Sequence, residues 1–142
     1  MDRAQHNVKD ASFVETKALG TADGTVATDG MDLGALSARG ARLEQGDCEL
    51  KIEAPALNTT QLPNADTNTY SIETDEDVAF GSPKVLADKV IVQTGAGGAG
   101  AAAVTARFRL PSDCERYVRV KSVLAGGTGD CSGASMTASL LF

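Results

Sequence analysis

The strongest constraint on this chain is the return, segment after segment, of a side-chain period of two. In residues 49–54, Leu50 and Ile52 fall on one side while Glu49, Lys51 and Glu53 fall on the other. In residues 103–110, Val104, Ala106, Phe108 and Leu110 oppose Thr105, Arg107 and Arg109. Such alternation presents one face to a core and one to water, as a half-buried strand requires. Eight segments follow the pattern: 13–19, 25–33, 49–54, 67–74, 88–94, 103–110, 114–124 and 135–142. Clusters of Gly, Pro, Asn and Asp separate them. The Asp29-Gly30 pair predicts a bulge or bend inside the second segment, and Pro55 and Pro63 bracket a loop, because proline removes a ladder donor. Short strands at this spacing predict an all-β antiparallel sandwich or barrel rather than βαβ units. No stretch competes as a long helix. Residues 1–12 show no usable period and read as a short N-terminal arm, leaving 13–142 as one β domain.

A chain of 142 residues that is 42% apolar can bury one sizeable core and is too short for two ordinary domains. Its longest apolar runs fall far short of the roughly 18 residues of a membrane span, so no membrane partner is expected. The polar first residues offer no apolar signal region, which predicts synthesis in a cytoplasm. A net charge of −6 argues against a nucleic-acid partner, whose binding rests on Lys and Arg displacing counterions. Three cysteines, Cys48, Cys114 and Cys131, fit neither a disulfide framework nor a zinc site. They read as buried small residues, with a Cys114 to Cys131 bridge in an oxidising particle as the alternative. Aromatic content is 4% with no Trp, which is poor material for lining a large ligand pocket.

Residues 95–100, Gly-Ala-Gly-Gly-Ala-Gly, satisfy the literal GxGxxG pattern. A dinucleotide site needs those glycines to open a helix whose amides meet the pyrophosphate. Here the next residues alternate as a strand, so the glycines read as the tip of a hairpin. Glu73, Asp75, Glu76 and Asp77 crowd a short stretch without EF-hand spacing. A solvated acidic turn is the plain reading, and a weak calcium site the alternative. His6 is the lone histidine and lies in the arm. No GxSxG elbow, HExxH or paired CxxC is present, so neither catalysis nor a cofactor is expected. Asn58-Thr59-Thr60 matches a glycosylation sequon, which has no meaning without secretion. Arg107, Arg109, Arg116, Arg119 and Lys121 concentrate positive charge while residues 66–77 are acidic. Solvated strand faces explain this, and so does a bipolar surface that fixes register between neighbouring copies or against a shell.

The stretch 67–74, the run Val90-Ile91-Val92-Gln93-Thr94 with the glycines that follow, Arg107-Phe108-Arg109-Leu110-Pro111, and the closing residues 136–142 resemble the jelly-roll decoration (cement) proteins of tailed-bacteriophage heads. The resemblance runs from about Asp32 to the C-terminus and is carried by structural residues. It implies an eight-stranded antiparallel jelly roll, without catalytic activity, that binds the major capsid protein on the outer surface of the virion. It also implies a homo-oligomer, trimer or dimer, that staples capsomers by multivalency. His6, Val8 and Phe13 near the arm, with Arg107, Arg109 and Arg119, are the expected capsid or subunit contacts. The alternative is a carbohydrate- or receptor-binding β-sandwich module of a phage fibre, which should present aromatic platforms. A cupin-type enzyme needs a cluster of metal ligands inside the barrel, and one histidine does not supply it.

Overall fold

A computed structural model describes residues 9–34, 48–112 and 114–141. Its strands are β1 (Lys9–Ala18), β2 (Thr25–Ala27), β3 (Met31–Asp32), β4 (Glu49–Ala54), β5 (Thr67–Asp75), β6 (Lys84–Thr94), β7 (Val104–Arg109), β8 (Tyr117–Ala125) and β9 (Ser135–Leu141). One sheet has the order β1-β9-β4-β7 and the other β2-β8-β5-β6, with β3 also paired to β8. All pairings are antiparallel. Because β2 and β3 share one position beside β8, the order is that of an eight-position jelly roll, the fold expected from the sequence. The second segment does break where Asp29-Gly30 predicted a bend. Gly30 is needed there because a Cβ would meet the Phe80 ring at 2.6 Å. β1 begins at Lys9, four residues before the alternation starts.

The two inner faces make the core. Leu50, Ile52 and Ala54 of β4 and Met136, Ala138 and Leu140 of β9 face Tyr70 and Ile72 of β5 and Val118, Val120 and Leu124 of β8. The alternation in β4 and β8 appears directly as alternating burial. Burying such side chains contributes on the order of 1.5–3 kcal/mol each. The three cysteines are buried, as their bland reading required. Cys114 precedes β8 and Cys131 follows it, so they sit at opposite ends of that strand. The Cys131 thiol donates to the Gln61 carbonyl at 3.1 Å. Burial, then the nearby Cys114 and Glu49, pushes the Cys48 thiol up to about 11. Among the described residues no helix is long and apolar enough to cross a membrane.

The glycine run is not the tip of a hairpin. β6 and β7 lie in different sheets, so residues 95–103 carry the chain from one edge of the sandwich to the edge above it. A strand follows the glycines, which removes the helix a phosphate site needs.

Candidate interaction surface

Where β6 and β7 leave their sheets, an open groove of about 890 Å³ lies between the 95–104 connection and the 56–61 loop. Its walls include Leu57, Asn58, Gln61, Val92, Gln93 and Val104, with alanines and Gly100 between them. The 58–62 loop is a small self-capped turn. The Asn58 Oδ1 accepts from the Thr60 and Gln61 amides at 3.0 and 2.9 Å, and the Gln61 Oε1 accepts from the Asn58 amide at 2.9 Å. This reciprocal pair satisfies donors that a turn would otherwise leave unmet. The sequon asparagine is therefore a structural cap.

The glycines seat the connection against that turn. A Cβ on Gly95 would stand 1.9 Å from the Pro63 carbonyl oxygen, and one on Gly100 would stand 2.0 Å from that of Leu57. Gly100 also has φ +67. Leu57 and Ala101 exchange backbone hydrogen bonds at 2.9 and 2.8 Å. The apparent phosphate motif is thus explained by close backbone approach.

Behind the groove runs a buried polar relay. Ser122 Oγ donates to Asn68 Oδ1 at 2.6 Å, Asn68 Nδ2 to the Tyr70 hydroxyl at 2.9 Å, and that hydroxyl to Gln93 Oε1 at 3.0 Å. Gln93 Nε2 closes the chain by donating to the Pro55 and Ala102 carbonyls at 2.8 and 2.9 Å. Burial pushes the Tyr70 phenol well above its usual range, so it stays protonated and can donate. The relay ties β8, β5 and β6 to both walls of the groove. Sequence alternation placed Tyr70 inward but gave no sign of Asn68 and Gln93 in the core. The groove itself did have a signal in the sequence, since no residue from Val90 to Ala106 is charged.

The acidic stretch 73–77 does not converge on one point. Glu73 is 2% exposed and takes Arg119 Nη2 at 2.7 Å and Nε at 2.9 Å on one oxygen and Lys121 Nζ on the other. Burial raises its pKa, but the hydrogen bonds and charges of Lys121 and Arg119 outweigh that and hold the carboxyl below its usual range. Asp75 instead accepts from the Asp77 and Ser82 amides, each at 2.9 Å, and so shapes the turn into β6. Arg119 also lies 4.1 Å above the Phe80 ring. Among the described residues no group of three or more His, Cys, Asp or Glu is placed to hold a metal ion.

The expected contact residues do not form one patch. His6 and Val8 lie outside the described residues. Phe13 is buried in the core. Arg107 and Arg109 are exposed on β7, paired in register with Lys51 and Glu49 of the first sheet, and Arg107 reaches Glu49 at 3.8 Å. Arg119 projects from the outer side of the second sheet, where Glu73 neutralises it. Part of each charge set is therefore paired within the chain, Arg107 with Glu49 and Arg119 and Lys121 with Glu73.

No family model matches the chain, and no curated protein matches it. Among solved structures, a xylan-binding module, CBM15, is similar over 96% of this chain and 94% of that one, at 14% identity and a TM-score of 0.39. A likeness that low carries no conclusion about a ligand.

Proposed function

We propose that this chain is a structural, non-catalytic jelly-roll protein that decorates the outer surface of a tailed-phage head and steadies contacts between its capsomers. The observation that carries this reading is positional. The segments on which the resemblance to cement proteins is most specific, 90–100 and 107–111, fall together on β6, the connection and β7. They follow the two edge strands on one side of the sandwich, where residues between Val92 and Val104 supply one wall of an open, largely apolar groove, and Arg107 and Arg109 continue along β7 beyond it. A groove walled by Leu57, Val92, Val104 and alanines suits the side chains of another protein surface. It has no aromatic ring on which a sugar could stack, so a glycan-binding module fits it less well.

In this reading the protein works by attachment. Each copy needs only modest affinity if several contacts on a repeating shell are engaged together. The test is co-sedimentation of the purified protein with phage heads that lack a decoration protein, across a salt series. Saturable binding at a fixed ratio to the major capsid protein is expected. Absence of binding at every salt concentration overturns the proposal and brings the fibre or receptor-binding module forward.

A further inference from the structure

Two segments wall the open groove, and both are unlike the rest of the chain. In a sequence that is 23% charged, neither 54–65 nor 90–106 holds a Lys, Arg, Asp or Glu. Every described residue lining the groove comes from these two segments. They also concentrate apolar exposure. Among the described residues the large hydrophobic side chains that stand out to solvent are Val78, Val85, Val92 and Val104. Val92, on β6, and Val104, at the start of β7, are the two that share a groove, with alanines between them. Exposed apolar side chains gathered in a concave site mark a place where a partner displaces water.

The side-chain amides at the groove are one-sided. The oxygens of Asn58 and Gln61 are held by backbone amides of their own turn, which fixes Asn58 Nδ2 and Gln61 Nε2 as the groups left to a partner. Neither nitrogen has an acceptor among the described residues. Gln93 is different, because both its ends are bound within the relay. The groove therefore presents amide donors and aliphatic contact without charge.

That combination selects an occupant. A charged ligand, such as a phosphate or an acidic glycan, would lose water here and gain no counter-ion. A neutral sugar would find no aromatic ring to stack on. An extended, uncharged peptide segment meets both kinds of group: its backbone carbonyls accept from the two amides, and its small or aliphatic side chains lie on Val92 and Val104. Resting on the capsid reading above, we infer that the groove receives an extended, uncharged segment of the major capsid protein, and that this contact, rather than Arg107 and Arg109, holds the protein on the shell. Because the contact contains no ion pair, attachment changes little with salt.

The experiment is co-sedimentation with undecorated phage heads of the wild type, Val104→Glu, Gln61→Glu and Val78→Glu. Gln61→Glu keeps the oxygen that caps the Asn58 amide while replacing the outward donor with an acceptor. Val78→Glu adds the same charge at an exposed valine outside the groove. The wild type and Val78→Glu are expected to bind alike, with affinity changing less than about threefold between about 0.05 and 0.5 M salt. Val104→Glu and Gln61→Glu are expected to weaken binding at least about tenfold, with thermal melts to confirm that each is folded. A second measurement needs no added charge. A photo-crosslinker attached at Val104→Cys, the native cysteines being buried, should join to an uncharged stretch of the capsid protein. A wild type that binds no heads overturns the capsid reading and this inference with it. Equal binding by all four proteins, binding that falls steadily with salt, or a cross-link to a charged stretch or to a glycan overturns this inference alone and leaves the capsid reading standing.

Discussion

At the scale of single residues, the Tyr70 hydroxyl is the hinge of the buried relay. It accepts from Asn68 and donates to Gln93, with the whole side chain at 0% exposure. Removing it leaves one amide donor and one amide acceptor without partners in a place water does not reach. Tyr70→Phe is therefore expected to cost about 1–3 kcal/mol, read as a lower urea midpoint with an unchanged slope. An unshifted midpoint would mean that the relay contributes nothing. Glycine gives a paired contrast. Gly98 has φ +83 and open space around its missing side chain, whereas Gly100 has φ +67 and would drive a Cβ to 2.0 Å from the Leu57 oxygen. Gly98→Ala should cost about 1–2 kcal/mol, the ordinary penalty of a left-handed backbone. Gly100→Ala should cost clearly more, because the 57–63 loop must move as well. Thermal melts of the two variants side by side would decide it.

At the scale of elements, what the sequence made legible depended on how regular each strand is. β4 is recovered residue for residue because its Leu50 and Ile52 alternate with charged neighbours against two partner strands. β6 is recovered only from Asp88, although it begins at Lys84, because the register shifts near Ala87 and Lys89 destroy the period that a sequence reading follows. The glycine connection was misread as a hairpin for a different reason. Two alternating segments joined by glycines look the same whether they pair with each other or pass to separate sheets, and only long-range pairing decides. The site residues suffered from the same gap. Arg107 and Arg119 both alternate outward, but nothing local reveals that they leave from opposite sheets. β7 carries an energetic prediction of its own. Phe108 sits on an edge strand and is only half-buried, so Phe108→Ala should destabilise by about 1–2 kcal/mol, below the roughly 3–5 kcal/mol of a fully buried ring. A calorimetric loss in the upper range would mean that another surface covers this edge.

At the scale of the whole molecule, the chain's response to acid should be set by how its carboxylates are held. Glu73 is buried at the centre of the second sheet's outer side, pinned by Arg119 and Lys121 from the neighbouring strand. Its folded pKa lies below the ordinary value of 4.5, so between the two values the unfolded chain binds a proton that the folded chain does not. Stability linked to this group is then fully present above about pH 4.5 and drains away as pH falls through the folded value. Asp75 and Asp130, also lowered by hydrogen bonds from their own turns, act in the same direction but are held locally. Glu73→Gln keeps the shape while removing the charge that joins β5 to β8, and it leaves Arg119 and Lys121 side by side without an anion. The variant is expected to be less stable than the wild type at pH 7 by about 1–3 kcal/mol. It should also show a shallower loss between pH 5 and pH 3, so that the two stability curves converge in acid. Urea unfolding of both proteins across that range measures this directly. Curves that stay parallel would place the acid sensitivity elsewhere, whereas convergence would identify one carboxylate held by two cations of the neighbouring strand as the group that sets it.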